Sequence, residues 1–109
     1  MTELPAATVT HVDGECVIAL HGDVDIASAA EVGAVAKEAI STCPDDSRRI
    51  VIDLAAVSFL DSSGIGALVD IRNFGLGRGI PTMLTNLPGA VSRVLEIGGL
   101  GGVFESAAD

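Results

Sequence analysis

Val51-Ile-Asp-Leu-Ala-Ala-Val-Ser-Phe-Leu-Asp-Ser-Ser-Gly-Ile-Gly-Ala-Leu-Val-Asp70 decides how this chain folds. From Ile50 to Leu54 the residues are β-branched and apolar, interrupted only by Asp53. That is the pattern of a buried parallel strand. A polar knot follows, Asp61-Ser-Ser-Gly64, and beyond it Ile65, Leu68 and Val69 recur at helical spacing. Asp61 and Ser62 suit a helix N-cap, because their side-chain oxygens accept from backbone N–H groups that have no intrahelical partner. Two serine hydroxyls, on Ser62 and Ser63, therefore stand at the start of a helix, just beyond the carboxyl end of a strand. In open α/β sheets that rim is where ligands and partners meet the protein. Gly64 and Gly66 leave the first turn bare, so another backbone or a phosphate can approach closely. Asp53, inside the strand, receives no role from the sequence.

Working outward, residues 1–6 read as a short arm, and Ala7 to Val12 as a first strand. Asp13-Gly14 is a hairpin turn signal, and Cys16 to Leu20 the return strand. His21-Gly22-Asp23-Val24-Asp25 then leaves the sheet. Ser28-Ala-Ala-Glu31 has the spacing of a capping box. The helix after it buries Val32, Val35, Ala36, Ala39 and Ile40, with Lys37 and Glu38 on the wet face, and Pro44 stops any continuation. Asp45, Asp46, Arg48 and Arg49 read as a solvated loop, and Arg49 to Leu54 as the central strand. Ala55 to Leu60 reads as a connection whose Val57, Phe59 and Leu60 tuck under the next helix. That helix runs from about Ser62 to about Leu76, with Arg72 and Arg78 on a solvated face. Gly75, Gly77 and Gly79 close it; a dinucleotide fingerprint would instead follow a strand and open a helix. Ile80 to Leu84 is the next strand, with Pro81 near an end or edge. Asn86-Leu-Pro-Gly89 starts a third helix with Pro88 in its first turn, and Val91, Val94, Leu95 and Gly98 lie along one face. Gly98 to Gly102 is a loop, Val103-Phe104 a last short strand, and residues 105–109 a tail. Strands alternating with helices give an α/β fold in one domain over residues 1–109. Its small mixed sheet has about four to five strands and is mostly parallel beyond the first hairpin.

Composition narrows the function. Of 109 residues 49% are hydrophobic, yet only three are aromatic, all Phe. A base-stacking nucleic-acid surface is hard to build from three Phe. The formal net charge is −9 and the pI about 4.3. Phosphodiester backbones are repelled by such a surface, so no direct nucleic-acid binding is expected. Acidity either steers basic partners or only maintains solubility. No basic leader with an apolar core and no run of about 18 apolar residues is present, so a cytoplasmic protein without membrane insertion is expected. Cys16 and Cys43 make no disulfide framework; each reads as a small buried hydrophobe in a reducing compartment. A regulatory disulfide between them stays open, because the sequence does not fix their separation. With no Cys-x-x-Cys and no His-rich cluster, neither a metal nor a cofactor is expected. His11 and His21 read as strand-edge residues, since no Gly-x-Ser-x-Gly elbow accompanies them. Asp23 and Asp25 lack a nucleophile to serve, which disfavours acid–base catalysis. Without a Gly-x-x-x-x-Gly-Lys loop either, the chain is not expected to be an enzyme.

Phe59-Leu-Asp-Ser-Ser-Gly-Ile-Gly-Ala-Leu68 resembles the signature of the STAS domain of bacterial anti-sigma factor antagonists. Ile52-Asp-Leu-Ala-Ala-Val-Ser58 resembles the strand that precedes that signature. Leu20-His-Gly-Asp-Val-Asp-Ile-Ala-Ser-Ala29 resembles a second family motif, which leads into the first helix. Together they cover about the whole chain. The resemblance implies a single STAS domain with helices packed mainly on one side of the sheet. It implies that Ser63 is a phosphoacceptor used by a partner kinase. It implies a partner surface of Asp23, Asp25, Asp61, Ser62, Ser63, Gly64, Ile65 and Gly66. The partner would be an anti-sigma factor that is also a serine protein kinase. Binding it would free a sigma factor for transcription, typically in a stress response; phosphorylation would dissolve the complex and a phosphatase would restore it. The alternative within the family is a STAS scaffold or adaptor subunit of a stress-sensing or lipid-transport complex, with no phosphoserine switch. That the chain ends with the domain disfavours a transporter's tail.

Overall fold

In a computed structural model, which describes residues 5–97 and 105–106, the chain forms five strands and three helices. In order these are β1 (Ala7–Val12), β2 (Glu15–Val24), α1 (Ala29–Ser41), β3 (Arg49–Leu60), α2 (Ser62–Gly77), β4 (Thr82–Thr85), α3 (Gly89–Ile97) and β5 (Glu105–Ser106). The strands lie side by side in chain order. β1 and β2 pair antiparallel, joined at Asp13 (φ 50°) and Gly14 (φ 81°). Positive φ at both central residues is the turn whose twist matches that of the flanking strands. All later pairings are parallel. Each parallel step moves one strand over in the same direction, so right-handed crossovers put all three helices on one face. The core agrees. Cys16, Ile18 and Leu20 of β2 and Ile50, Ile52 and Leu54 of β3 share one buried cluster with Val32, Ala36 and Ile40 of α1, Leu68 and Ile71 of α2, and Val91 and Leu95 of α3. Thr8, Thr10 and Val12 point to the other face, where all three are exposed.

The two long strands run further than the sequence pattern indicates. β2 continues through His21-Gly-Asp-Val24, and β3 through Ala55 to Leu60, instead of leaving the sheet at Leu20 and Leu54. The reason is a pair of register shifts. Ala19 pairs with Asp53 but His21 with Ala56; Gly22 pairs with Val57 but Asp23 with Phe59. Each shift inserts one extra residue into β3, and a bulge reverses which side chains face inward. The buried positions therefore change from the period-two series Ile50, Ile52, Leu54 to Leu54, Val57, Leu60. A strand with that spacing looks like a loop to any test for alternation. Phe59, expected to tuck under α2, instead stands on the exposed side with 52% of its surface accessible. Asp53 acquires a role here: its Oδ1 accepts from the Ala55 N–H at the first bulge (3.0 Å) and from Asn86 Nδ2 (3.1 Å). One carboxylate so satisfies the displaced strand and holds the loop leaving β4.

Other local expectations change for tertiary reasons. Arg49 opens β3 and pairs with Glu15, while Arg48 donates to the Asp13 carbonyl, so neither belongs to a free loop. Arg78 is no solvated helix residue. Its guanidinium donates to the carbonyls of Ile40 and Cys43 and pairs with Asp45, closing the end of α1 from across the interface. Gly75 lies inside α2, where a Cβ would come within 2.5 Å of Ile50 Cδ1; Gly79 (φ 74°) makes the actual turn. β4 begins at Thr82, after Pro81, and α3 begins at Gly89, one residue past Pro88. Glu105–Ser106, expected as tail, is the strand β5, and the expected strand at Val103-Phe104 and the arm's residues 1–4 lie outside the described residues. No described helix is long and apolar enough to cross a membrane.

Candidate functional site

Parallel β2 and β3 end together, Val24 beside Leu60; β3 passes through Asp61 straight into α2, and β2 through a short loop into α1. The knot Asp61-Ser-Ser-Gly64 sits at this rim. Asp61 is the N-cap of α2, in extended conformation, and its Oδ1 accepts from the Gly64 N–H at 3.0 Å. Its backbone carbonyl accepts from Ile65 N at 2.9 Å, and its own N–H donates to the Val24 carbonyl at 3.3 Å. Ser62, which the sequence also offered as a cap, is instead the first helical residue and is exposed; Ser63 is the second and is half-buried.

Gly64 fixes the position of this helix start. A Cβ on it would lie 2.2 Å from the Val24 carbonyl oxygen and 2.6 Å from Leu60 Cδ1. Only a bare Cα lets the first turn of α2 rest on the end of β2. Gly66, by contrast, is exposed, and a methyl placed on it would meet nothing within 4 Å. Ile65 is partly buried against the core. The two glycines thus play different parts, one for packing and one on the open surface.

The loop between β2 and α1 forms the rim's other half. Asp23 is exposed and pairs in register with Phe59. Asp25 is committed to the loop itself: its Oδ1 accepts from Ala27 N at 3.0 Å, and its carbonyl accepts from Ser28 N and Ala29 N. Ser28 stands at the N-cap of α1 but makes no side-chain cap bond. Its hydroxyl turns back, donating to the Asp23 carbonyl (2.7 Å) and accepting from Asp25 N (3.1 Å). The capping box expected at Ser28 and Glu31 is therefore absent; Glu31 instead accepts from Ala6 N at 3.2 Å. The longer β2 explains this, since a turn of only a few residues remains and the hydroxyl is drawn into closing it.

Two apolar side chains complete the rim. Ile26, at the tip of the β2–α1 loop, is 82% exposed, and Phe59 stands two residues before Asp61. Neither emerged from the sequence as a surface residue. Both side chains stand out into solvent. Of the residues the sequence singled out, Asp23, Ser62 and Gly66 face outward, Ser63 and Ile65 are half-buried, and Asp25 and Asp61 spend their carboxylates on loop and cap. His21 is bound to Thr8 Oγ1 through Nε2 (3.1 Å), and His11 lies at the other end of the sheet, beside Cys16 in register.

A family model of the STAS domain matches residues 6–108. The chain belongs to the STAS domain family. Among solved structures it is similar to the anti-sigma factor antagonist SpoIIAA in its unphosphorylated form, at 26% identity and a TM-score of 0.76, covering 95% of this chain and 90% of that one. The phosphorylated form of the Bacillus cell fate determinant SpoIIAA matches at 25% identity and a TM-score of 0.68, covering 95% and 93%. An anti-sigma-factor antagonist (STAS) domain protein from Planctomyces limnophilus shares the fold at 19% identity and a TM-score of 0.79, over 94% and 90%. The domain thus has the fold of the STAS anti-sigma factor antagonists, and its sequence departs from them at most positions.

Proposed function

We propose that this chain is an anti-sigma factor antagonist that docks a serine-kinase anti-sigma factor on the rim around Asp23, Asp25 and Asp61–Gly66, and that phosphorylation of Ser63 ends the complex. The observation that carries this is the placement of Ser63: second residue of α2, in a first turn fixed by the Asp61 cap and by the contact of Gly64 with Val24. A phosphate there gains about −1.5 to −2 charges and three acceptor oxygens. The helix N-terminus tolerates it, because the dipole and the unpaired N–H groups of the first turn favour an anion. The domain itself keeps its fold, and the change falls on the docked surface. Ile26 and Phe59 supply apolar area to that surface, and Asp23 with Asp61 makes it acidic before any phosphate arrives. A partner that closes over the Ser63 hydroxyl loses its fit when the phosphate's bulk and charge stand in that contact beside Asp61, where like-charge repulsion and desolvation both count against it. The similarity to an antagonist solved both with and without phosphate supports a phosphorylation switch in this chain. The chain performs no chemistry in this scheme; kinase and phosphatase act on it in the cytoplasm.

The test is intact mass after incubation with ATP and each serine-kinase-type anti-sigma factor of the source genome, for the wild type, Ser62→Ala and Ser63→Ala. One phosphate on the wild type and on Ser62→Ala, none on Ser63→Ala, and loss of the complex on phosphorylation are expected. A stable complex without phosphate would instead make the chain a scaffold or adaptor subunit. Neither phosphate nor complex would refute the antagonist reading.

A further inference from the structure

At the end of the sheet opposite the rim, three soft or borderline ligands converge from distant parts of the sequence. Cys16 opens the buried part of β2, His11 lies beside it in register on β1, and Cys43 follows the end of α1. One ligand atom from each lies within 4.8 Å of the others. Both cysteines are free thiols, Cys16 with 1% and Cys43 with 5% of their surface accessible, while His11 is exposed. Tetrahedral zinc, with bonds of about 2.3 Å to sulfur and about 2.0–2.1 Å to nitrogen, sets such atoms roughly 3.5–3.8 Å apart. The three atoms stand at most about 1 Å further apart than that, a difference closed on binding.

We infer that His11, Cys16 and Cys43 form a binding site for a thiophilic cation, zinc(II) in the first instance. Two thiols each give up a proton and the imidazole binds in its neutral form, so one zinc enters, two protons leave, and the occupied site is neutral. One feature outside the triad favours a cation here; the carboxyl end of α1 does not, because the Arg78 guanidinium already meets its Ile40 and Cys43 carbonyls. A cleft of about 260 Å3, lined by His11, Glu38, Thr42, Val9, Val35 and Ala39, opens beside it. His11 lines the cleft and is exposed, so an ion reaches the imidazole from the surface, and water or a small ligand would complete the tetrahedron. Neither cysteine pattern nor histidine spacing announces the site in the sequence; the hairpin and α1 bring it together. When occupied, it ties β1, β2 and the α1–β3 loop at one point, remote from Ser63, so binding a cation there leaves the phosphorylation rim intact.

The experiment uses the full chain, reduced and freed of metal by a chelator that is then removed. Cobalt(II) is titrated as a spectroscopic stand-in, with released protons followed by an indicator dye, and is then displaced by zinc(II). One equivalent of cobalt with thiolate charge-transfer and tetrahedral d–d bands, two protons released per cobalt bound, and displacement by zinc with no further proton release are expected. Cys43→Ser should abolish the charge-transfer bands. Because cysteine variants alter the core, His11→Gln is the second probe. It replaces an exposed residue, should leave the circular dichroism unchanged, and should weaken zinc by at least about tenfold, the least that losing even an outer-shell partner costs. No cobalt bands on the reduced wild type, or bands unchanged in both variants, would overturn the inference.

Discussion

Gly64→Ala tests the account of the rim most directly. The added methyl would sit 2.2 Å from the Val24 carbonyl oxygen, about 1.2 Å short of an ordinary contact, and 2.6 Å from Leu60 Cδ1. Leu60 can move its side chain, but the Val24 carbonyl is strand backbone and also accepts the Asp61 N–H. Relief therefore requires α2 to shift away from β2. Overpacking of this kind costs about 1–3 kcal/mol, and a backbone obstacle places it near the upper end. The shift also strains the Asp61–Gly64 cap, worth about 1 kcal/mol. Against this, alanine gains about 1 kcal/mol over glycine in a helix. The net loss is about 2–3 kcal/mol, a fall in Tm of about 10–20 °C for a domain of this size. Gly66→Ala, two residues on, is the control. Its methyl meets nothing within 4 Å, so only the helix preference remains and stability rises by about 0.5–1 kcal/mol. Urea denaturation and thermal melts followed by circular dichroism measure both. The reasoning fails if Gly64→Ala melts within about 2 °C of the wild type, or if both variants move in the same direction by similar amounts.

Three further expectations concern separate parts of the molecule. Phe59→Ala and Ile26→Ala remove exposed side chains and should change stability by less than about 0.5 kcal/mol; if the rim docks an anti-sigma factor, each should weaken that complex by about tenfold or more in a calorimetric titration, as truncated interface anchors do. Arg78→Met keeps the stem but leaves the Ile40 and Cys43 carbonyls without their donor; a loss of about 1–3 kcal/mol in urea is expected, and a loss below about 0.5 kcal/mol would return Arg78 to the solvated face. Burial, with the neighbouring Cys43 thiol adding to it, pushes the Cys16 thiol up to about 12. The folded state thus holds its proton where the unfolded chain releases it, so this contribution is complete below about pH 8.5 and is lost as pH rises toward 12. With a chelator present, the wild type should lose stability with rising alkaline pH more steeply than Cys16→Ala; parallel curves would show that the thiol titrates alike in both states.

How much of this was legible before folding depended on the range of the interaction that decides it. The Asp13-Gly14 turn, the apolar run at Ile50 to Leu54, the Asp61 cap and the helical spacing of α2 are local, since each is set by residues a few positions apart, and the structure has them where the sequence pattern put them. The α/β class and the mixed sheet follow from how such pieces alternate. The second halves of β2 and β3 were hidden because two bulges destroy the alternation by which a strand is recognised, and bulges exist only once the strands are paired. The Ser28–Glu31 box read correctly as a spacing but not as a bond, because the hydroxyl found nearer partners in a loop shortened by the longer strand.

What chain order settles, then, is the identity of the segments, the order in which they alternate along the chain and the polar knot that heads α2, because backbone preference and hydrophobic period act over a turn or two. Only packing in three dimensions places Gly64 against Val24, holds Phe59 and Ile26 outward on one rim, sends Arg78 to the end of α1 and gathers His11, Cys16 and Cys43 within reach of one ion. Those arrangements depend on distances between residues up to 40 positions apart, Gly64 and Val24, which the sheet and its crossovers fix and no local pattern encodes.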